Sequence, residues 1–297
     1  MEIVKETNMD QKGILTNCKL PVPEFDELWE RIIVPEELKE RLISQIVLEF
    51  TVRREIARGA LPLHGLILLV GPPGTGKTSL AKAAASKAGG LLKGKNARFI
   101  EVEPHGLTSS TLGRSQRDMH QFLNGTIAEH AKQGPLIVLL DEVETMAVDR
   151  QRLSLDANPI DVHRATDAVL AGLDHLAAEY PDLLFIATSN FEEAVDSALL
   201  SRADLILRIE KPNAEACSAI LIDTLNIMGA KWKKLAKIHE HARFKEAVNA
   251  ACGLDGRQIR KAVLQACATN KDTAMDPNLV SLDNLLAALG NAKQNLK

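Results

Sequence analysis

The stretch 71–78 constrains the fold of this chain more than any other part of the sequence. It matches the pattern GxxxxGK[ST] and consists of Gly71, Pro72, Pro73, Gly74, Thr75, Gly76, Lys77 and Thr78. The apolar run 66–70 precedes it and an alanine-rich segment follows, so we predict a strand, a tight loop and a helix. In such a loop, glycines let backbone N–H groups surround phosphate oxygens, and the helix dipole favours the same anion. The stretch therefore predicts a P-loop in which Lys77 reaches the β- and γ-phosphates of a nucleotide and Thr78 holds Mg²⁺.

Further apolar runs alternate with helical patterns as far as Lys211. The clearest are 136–140 and 183–187, and the shorter stretches 98–102 and 205–209, which contain charged residues, are also predicted strands. Unbroken apolar runs are typical of parallel strands that are covered on both faces. We therefore predict an α/β nucleotide-binding domain over residues 25–211, with a parallel sheet and right-handed crossovers. No convincing strand follows Pro212, so residues 212–297 are predicted to form a small helical domain, and residues 1–24 an N-terminal arm or linker.

Composition excludes several classes of function. The formal net charge is −3 and no long basic run occurs, so bulk charge gives no support for nucleic-acid binding and disfavours such a partner. No apolar run reaches membrane-spanning length and the first residues lack the order of a signal peptide, which predicts a cytoplasmic protein with no membrane partner. The cysteines show no metal-ligand or redox spacing and are predicted to be reduced thiols; they are Cys18, Cys217, Cys252 and Cys267.

Polar residues follow two of the predicted strands and supply the chemistry that a P-loop needs. Asp141 and Glu142 come directly after the run 136–140, at the edge where parallel α/β sheets bind ligands. We expect Asp141 to hold Mg²⁺, directly or through water, and Glu142 to orient or deprotonate the attacking water. Asn190 follows the next strand and is either a residue that positions this water or touches the γ-phosphate, or an ordinary turn residue.

The roles of two arginines and of one apolar segment stay open when only the residues are considered. Arg202 follows a short helical stretch, and Arg257 opens a helix after Gly256. Each arginine is either a surface residue or a functional cation. The apolar residues Ile32, Ile33 and Val34 lie before a helix that begins near Pro35, where a nucleotide base could rest against them.

Taken together, these motifs resemble those of the AAA+ ATPases. Residues 71–79, including Ser79, resemble Walker A, and residues 136–142 resemble Walker B. Asn190 falls at sensor 1, Arg202 at the arginine finger and Arg257 at sensor 2. The resemblance implies a five-stranded parallel sheet flanked by helices, a small helical lid, and ATP with Mg²⁺ as cofactors.

A narrower resemblance is to the pachytene-checkpoint, thyroid-receptor-interactor family. It covers residues 25–270 and depends most on the stretches 141–144 and 201–204, which read DEVE and SRAD. The resemblance implies a hexameric ring that pulls on HORMA-domain proteins, and bacterial members accompany cyclic-oligonucleotide synthases in anti-phage operons. Only residues 1–24 precede the module in this sequence, which suggests a compact prokaryotic form that acts directly on a HORMA protein.

The pore loop departs from the family pattern. Family members carry an aromatic residue there, whereas this chain has Thr111, Leu112 and Gly113, with Leu112 the best match to the substrate-gripping position. The leading hypothesis is a hexameric ATPase that remodels a HORMA protein. A second is an AAA+ protein acting on DNA, a loader or branch-migration motor, for which Arg114 and Arg117 are the basis. A third is an ATP-gated scaffold with negligible turnover.

Overall fold

The computed structural model describes residues 13–56, 59–61, 63–92, 96–103, 114–146 and 159–295. The chain forms two compact units. The first unit contains Glu36–Gly71 and Lys77–Arg208, together with the chain up to Trp29. The second contains Ile209–Lys297, and Glu30–Pro35 and Pro72–Gly76 also belong to it.

The first unit is built on a six-stranded sheet. Its strands are β1 (Ile14–Lys19), β2 (Leu66–Val70), β3 (Arg98–Val102), β4 (Leu136–Leu140), β5 (Leu183–Ser189) and β6 (Leu205–Arg208). The strand order is β1-β3-β4-β5-β2-β6, and every pair from β3 to β6 is parallel. The predicted five-stranded parallel sheet is therefore confirmed. Strand β5 lies between β4 and β2.

The sixth strand, β1, was not predicted and lies antiparallel to β3 at the edge of the sheet. It falls in the segment that the sequence assigned to an arm or linker. Two polar side-chain pairs join it to β3: Thr16 donates a hydrogen bond to Glu101 at 2.8 Å, and Arg98 donates one to Asn17 at 2.8 Å. Because cross-strand polar pairs hold this strand, it lacks the apolar alternation by which strands are recognised.

Helices pack against the sheet of the first unit and form its hydrophobic core together with the strands. They are α1 (Pro23–Arg31), α2 (Glu36–Glu55), α3 (Lys77–Leu91), α4 (Arg114–Gln121), α5 (Ala128–Ala131), α6 (Pro159–Glu179) and α7 (Ser197–Leu200). Helix α2 buries Leu42, Ile46 and Phe50, which recur at helical spacing along one face. A π-helical turn, Phe122–Ile127, joins α4 to α5.

The second unit is helical, as the change of pattern at Pro212 predicts. Its helices are α8 (Ala214–Gly229), α9 (Lys233–Ala236), α10 (Phe244–Ala251), α11 (Gly256–Cys267), α12 (Lys271–Met275) and α13 (Leu282–Gln294). Side chains cap four of them at the N-terminus, from Asn213, Asp255, Asn270 and Ser281. None of the described residues after Arg208 forms a strand. Within the described ranges, no helix has both the length and the apolar character needed to cross a bilayer.

Candidate nucleotide site and arginine site

The strand order brings three of the predicted strand-end motifs to one edge of the sheet. The neighbouring strands β2, β5 and β4 are parallel, so their carboxyl ends lie side by side. Gly71 follows β2, Asp141 follows β4, and Asn190 follows β5. The three strand-end motifs recognised in the sequence therefore form one cluster, here called the carboxyl edge.

Glycine is required in the P-loop by the backbone conformation. Gly71, Gly74 and Gly76 have φ values of 153°, 77° and 93°, which side-chain-bearing residues rarely adopt. A Cβ on Gly76 would meet no atom within 4 Å, so at that position the backbone angle alone calls for glycine. The loop ends at Lys77, the first residue of α3.

Lys77 is buried and its ammonium group is bound within the carboxyl edge. The side chain is 5% exposed, and Nζ donates hydrogen bonds to the carbonyl oxygen of Gly71 at 2.8 Å and to Oδ1 of Asn190 at 2.9 Å. These partners hold the charge at the mouth of the P-loop. The sequence predicted a phosphate contact for Lys77 and offered Asn190 as a residue that positions the water or touches the γ-phosphate, and the two side chains are neighbours.

Two threonines fix the carboxylate of Asp141. The hydroxyl of Thr78 donates a hydrogen bond to Asp141 Oδ1 at 2.8 Å, and the hydroxyl of Thr188, on β5, donates one to the same oxygen at 2.5 Å. Because the proton of the Thr78 hydroxyl is directed at Asp141, the lone pairs of that hydroxyl oxygen are available to a cation. A hydroxyl and a carboxylate are hard oxygen ligands of the kind that Mg²⁺ prefers, so the residues fit the predicted magnesium ion.

Glu142 lies at a sharp turn of the backbone. Its φ and ψ are 52° and 53°, the left-handed region, which is uncommon for a residue with a side chain. The Thr188 hydroxyl accepts a hydrogen bond from the backbone N–H of Glu142 at 3.1 Å and so stabilises this conformation. The turn leaves Glu142 exposed while Val143 is buried, and Asn190 Nδ2 donates to Glu142 Oε1 at 3.1 Å. The predicted base and the predicted water-positioning amide are thus in direct contact.

In the helical unit, the start of α11 lies against the P-loop residue Gly74. The backbone N–H of Arg257 donates to the carbonyl of Gly74 at 3.4 Å. A Cβ on Gly74 would lie 2.3 Å from Asp255 Oδ1, so this contact also requires glycine. The Arg257 side chain is exposed, and its role as sensor 2 stays a prediction.

The segment predicted to contact a nucleotide base also packs on the helical unit. Ile33 is partly buried against the core of that unit. Arg260 donates a hydrogen bond to the carbonyl of Arg31 at 3.0 Å and pairs with Asp223 at 2.7 Å. The contact of the base with Ile32, Ile33 and Val34 remains a prediction.

Arg202 lies at the opposite edge of the sheet, here called the amino edge. It precedes β6, and Asp204 pairs with the first residue of β2: its backbone N–H donates to the Leu66 carbonyl at 2.8 Å. The carboxylate of Asp204 accepts hydrogen bonds from the backbone N–H groups of His64 and Leu66, each at 3.0 Å. These bonds fix the turn that carries Arg202.

The guanidinium of Arg202 is paired with Asp174 on α6. Nη2 donates to Asp174 Oδ2 at 2.7 Å, and Nη1 donates to the carbonyl of Ala198 at 2.8 Å. The hydrogen bond to Asp174 raises the pKa of Arg202 above its ordinary value, so the group is cationic at any physiological pH.

The two edges are far apart within one chain. The P-loop follows the last residue of β2, whereas the turn with Arg202 is attached to its first residue. Strand β2 has five residues, which at about 3.3 Å per residue separate its ends by roughly 15 Å. The predicted site residues therefore fall into two groups, one at each edge.

The structure adds three residues to these groups. Thr188 holds Asp141 and Glu142, Glu144 accepts a hydrogen bond from the backbone N–H of Asn190 at 3.1 Å, and Asp174 binds Arg202. Glu144 lies in the DEVE stretch that distinguished the family, and Thr188 belongs to the polar stretch 188–190 that ends a predicted strand, whereas Asp174 had no signal in the sequence. The pore-loop residues lie outside the described residues; they are Thr111, Leu112 and Gly113.

Comparison with known proteins identifies the family. Residues 67–213 match the family described as "ATPase family associated with various cellular activities (AAA)". CD-NTase-associated protein 6 of Pseudomonas aeruginosa is 50% identical over 283 residues, covering 95% of this chain and 93% of that protein. The pachytene checkpoint protein 2 homolog of Gallus gallus is 34% identical over 212 residues, and the match spans 69% of this chain but only 48% of the chicken protein.

Two solved structures share the fold. The structure of C. elegans PCH-2 has a TM-score of 0.75 at 24% identity and covers 96% of this chain and 77% of that one. A structure titled "E. coli MS115-1 HORMA:CdnC:Trip13 complex" has a TM-score of 0.71 at 20% identity, with coverage of 94% and 95%. The chain therefore belongs to the AAA ATPase family that includes CD-NTase-associated protein 6 and the pachytene checkpoint protein 2 homologues, and it is an ATP-hydrolysing enzyme.

Proposed function

We propose that this ATPase assembles as a homohexamer and couples ATP hydrolysis to the remodelling or partial unfolding of a HORMA-domain protein. The observation that carries the proposal is the position of Arg202, a cation at the sheet edge opposite the P-loop of its own chain. A relative named for its association with a CD-NTase, and a fold neighbour whose title pairs Trip13 with a HORMA protein, support the choice of partner. Together they favour a cytoplasmic anti-phage system that signals through a cyclic-oligonucleotide synthase.

The carboxyl edge has the groups that phosphoryl transfer to water requires. Bound ATP with Mg²⁺ supplies the reactive γ-phosphoryl group and neutralises much of its charge. Lys77 would transfer its hydrogen bonds to phosphate oxygens, and Thr78 and Asp141 would hold the cation. The Glu142 carboxylate accepts a proton from the attacking water, while Asn190 orients the carboxylate through its amide.

Arg202 is proposed to complete the site of a neighbouring subunit. Its own P-loop is roughly 15 Å away along β2, beyond the reach of an arginine side chain anchored at Asp174. In a ring, the amino edge of one subunit can face the carboxyl edge of the next. The guanidinium then stabilises negative charge that develops on the transferred phosphoryl group.

The substrate contact is proposed for the pore loop, in which Leu112 is the main apolar side chain. An apolar tip contacts extended peptide of almost any sequence, and several subunits can contribute at once. Leu112→Ala is expected to retain basal ATPase activity and to lose conversion of the HORMA partner. Normal conversion by a Leu112→Ala protein of unchanged oligomeric state would contradict the pore-loop assignment.

The proposed function as a whole is tested with a purified HORMA-domain protein as substrate. The expected result is an ATP-dependent change of its conformation, seen by limited proteolysis, that Glu142→Gln abolishes. If the ATPase is active but the conformation of the HORMA protein does not change, the proposed HORMA substrate is rejected. Salt-dependent binding of DNA that stimulates hydrolysis would instead favour the DNA-directed alternative.

A further inference from the structure

Arg202 is held in one orientation by its own chain. Its Nε lies 3.2 Å from both carboxylate oxygens of Asp174, Nη2 donates to Oδ2 at 2.7 Å, and Nη1 donates to the Ala198 carbonyl at 2.8 Å. A guanidinium carries five N–H donors in one plane. These contacts use three of them, and among the described residues the second N–H of each Nη has no partner. Arg202 thus keeps two coplanar donors on adjacent nitrogens, which suits bidentate binding of a phosphate.

Rigid elements support both sides of this arrangement. Asp174 lies on the long helix α6, and His64 Nε2 is 3.6 Å from its carboxylate. His64 is itself held by its backbone N–H to Asp204, which is paired with the first residue of β2. The side chains of Arg202 and Asp174 are only 25% and 34% exposed, so their ion pair is partly shielded from water. Packed elements therefore define the position of the carboxylate that orients the arginine.

We propose that Asp174 is a positioning residue for the arginine that acts on the neighbouring subunit's nucleotide. Its carboxylate fixes the plane of the Arg202 guanidinium, so that the two remaining donors are presented together to phosphate oxygens. The inference depends on the trans role given to Arg202 under the proposed function. An unanchored arginine would lose side-chain conformational entropy when it binds the phosphate. Because Asp174 already restricts the Arg202 side chain, less entropy is lost on binding.

The first test is the steady-state ATPase rate of Asp174→Asn. Asparagine keeps the size of the side chain but removes the charge and one acceptor oxygen. We expect kcat to fall about 10- to 100-fold, the usual effect of losing an orienting carboxylate, with KM for ATP within about twofold of wild type. Glu179→Gln is the matched control, an exposed carboxylate at the end of the same helix, and should have wild-type kinetics. A wild-type or higher kcat for Asp174→Asn would overturn the proposal.

A double-mutant cycle separates positioning from a general structural role. If Asp174 acts through Arg202, the double variant Arg202→Ala/Asp174→Asn should be no slower than Arg202→Ala alone. A further loss of 10-fold or more in the double variant would mean that Asp174 supports the fold instead. Asp174→Ala provides a second comparison in case the asparagine variant does not fold, and it should lose at least as much activity.

The same series distinguishes failure of this inference from failure of the proposed function. Arg202→Ala with wild-type kcat would reject the trans role and the positioning role together. A slow Arg202→Ala beside a normal Asp174→Asn would reject the positioning role alone.

Discussion

The two edges of the sheet hold their charged side chains in different ways. At the carboxyl edge, Lys77 is bound to Asn190 and Thr78 to Asp141, partners that bound ATP and Mg²⁺ would replace or share. At the amino edge, Arg202 is bound by a carboxylate from α6. Under the proposed function, the carboxyl edge exchanges its internal hydrogen bonds for a ligand, whereas the amino edge keeps its arginine fixed for a neighbouring subunit.

The difference has a consequence for catalysis. A subunit with both sets of groups at one edge would be complete as a monomer. Because β2 separates the P-loop from Arg202, the proposed function gives each subunit two incomplete parts of an ATPase site. Changes at the two edges should therefore differ in how they affect nucleotide binding, turnover and cooperation between subunits.

The largest effect is expected at the amino edge. Arg202→Ala should lower kcat by about 10³- to 10⁵-fold, the range for arginine fingers, with little change in the Kd for ATP. Arg208→Ala is the control, because this arginine is an exposed residue that lies at the other end of β6 from Arg202 and is paired with Glu192. Steady-state kinetics and equilibrium nucleotide binding test both variants, and a large loss of ATP affinity in Arg202→Ala would place this residue in its own chain's site.

At the carboxyl edge, Glu142→Gln should stop turnover while preserving nucleotide binding. Removing a general base costs about 10²- to 10⁴-fold in rate, and the phosphate and metal ligands are unchanged. Lys77→Ala should weaken ATP binding itself. Isothermal titration and phosphate release measured on the same preparations test this pair, and wild-type hydrolysis by Glu142→Gln would show that another group activates the water.

A smaller effect is expected from Thr188→Val. Valine keeps the shape but removes the hydroxyl that donates to Asp141 and accepts from the Glu142 N–H. Unsatisfied buried polar groups cost about 1–3 kcal/mol, which corresponds to roughly a 5- to 150-fold lower kcat if the cost falls on the transition state. Thr188→Ser should restore activity because it returns the hydroxyl. Equal kinetics for the valine and serine variants would contradict this role.

The smallest effect on activity is expected at Glu49, beneath the amino edge. Burial, and secondarily the charge of Asp204, raise the pKa of Glu49 from an ordinary 4.5 to about 7. The folded chain thus keeps this proton where the unfolded chain loses it, so the stabilising contribution is present below pH 4.5 and is lost as pH rises through 7. Relative to wild type, Glu49→Gln should gain roughly 1–3 kcal/mol in unfolding free energy between pH 5 and pH 8. Urea unfolding at both pH values measures this, and a pH-independent difference would contradict the raised pKa.

Much of the carboxyl edge was predictable because its residues follow apolar strands. Gly71, Asp141 and Asn190 each come at a strand end, and parallel topology then places them together. Thr188 could not be assigned a role in this way, since its contact with Asp141 depends on the register of β5 against β4. Register is a long-range property that a single sequence does not reveal.

The amino edge and the edge strand were harder to predict for a different reason. Asp174 is one of several polar residues on α6, and nothing in helical periodicity distinguishes it from a solvated charge. Strand β1 is held through polar pairs such as Thr16 with Glu101, so it has no apolar pattern to recognise. Interactions between polar side chains that are distant in sequence are the part of this fold that only the structure supplies.

Mixing two inactive variants tests most directly the central claim that each ATPase site is shared between subunits. Arg202→Ala subunits retain a working carboxyl edge, and Lys77→Ala subunits retain a working amino edge. The account predicts that mixed assemblies recover measurable ATPase activity, highest near equal proportions, while each variant alone stays inactive. Assemblies shown by mass spectrometry to contain both variants, yet without activity above the two separate preparations, would contradict it.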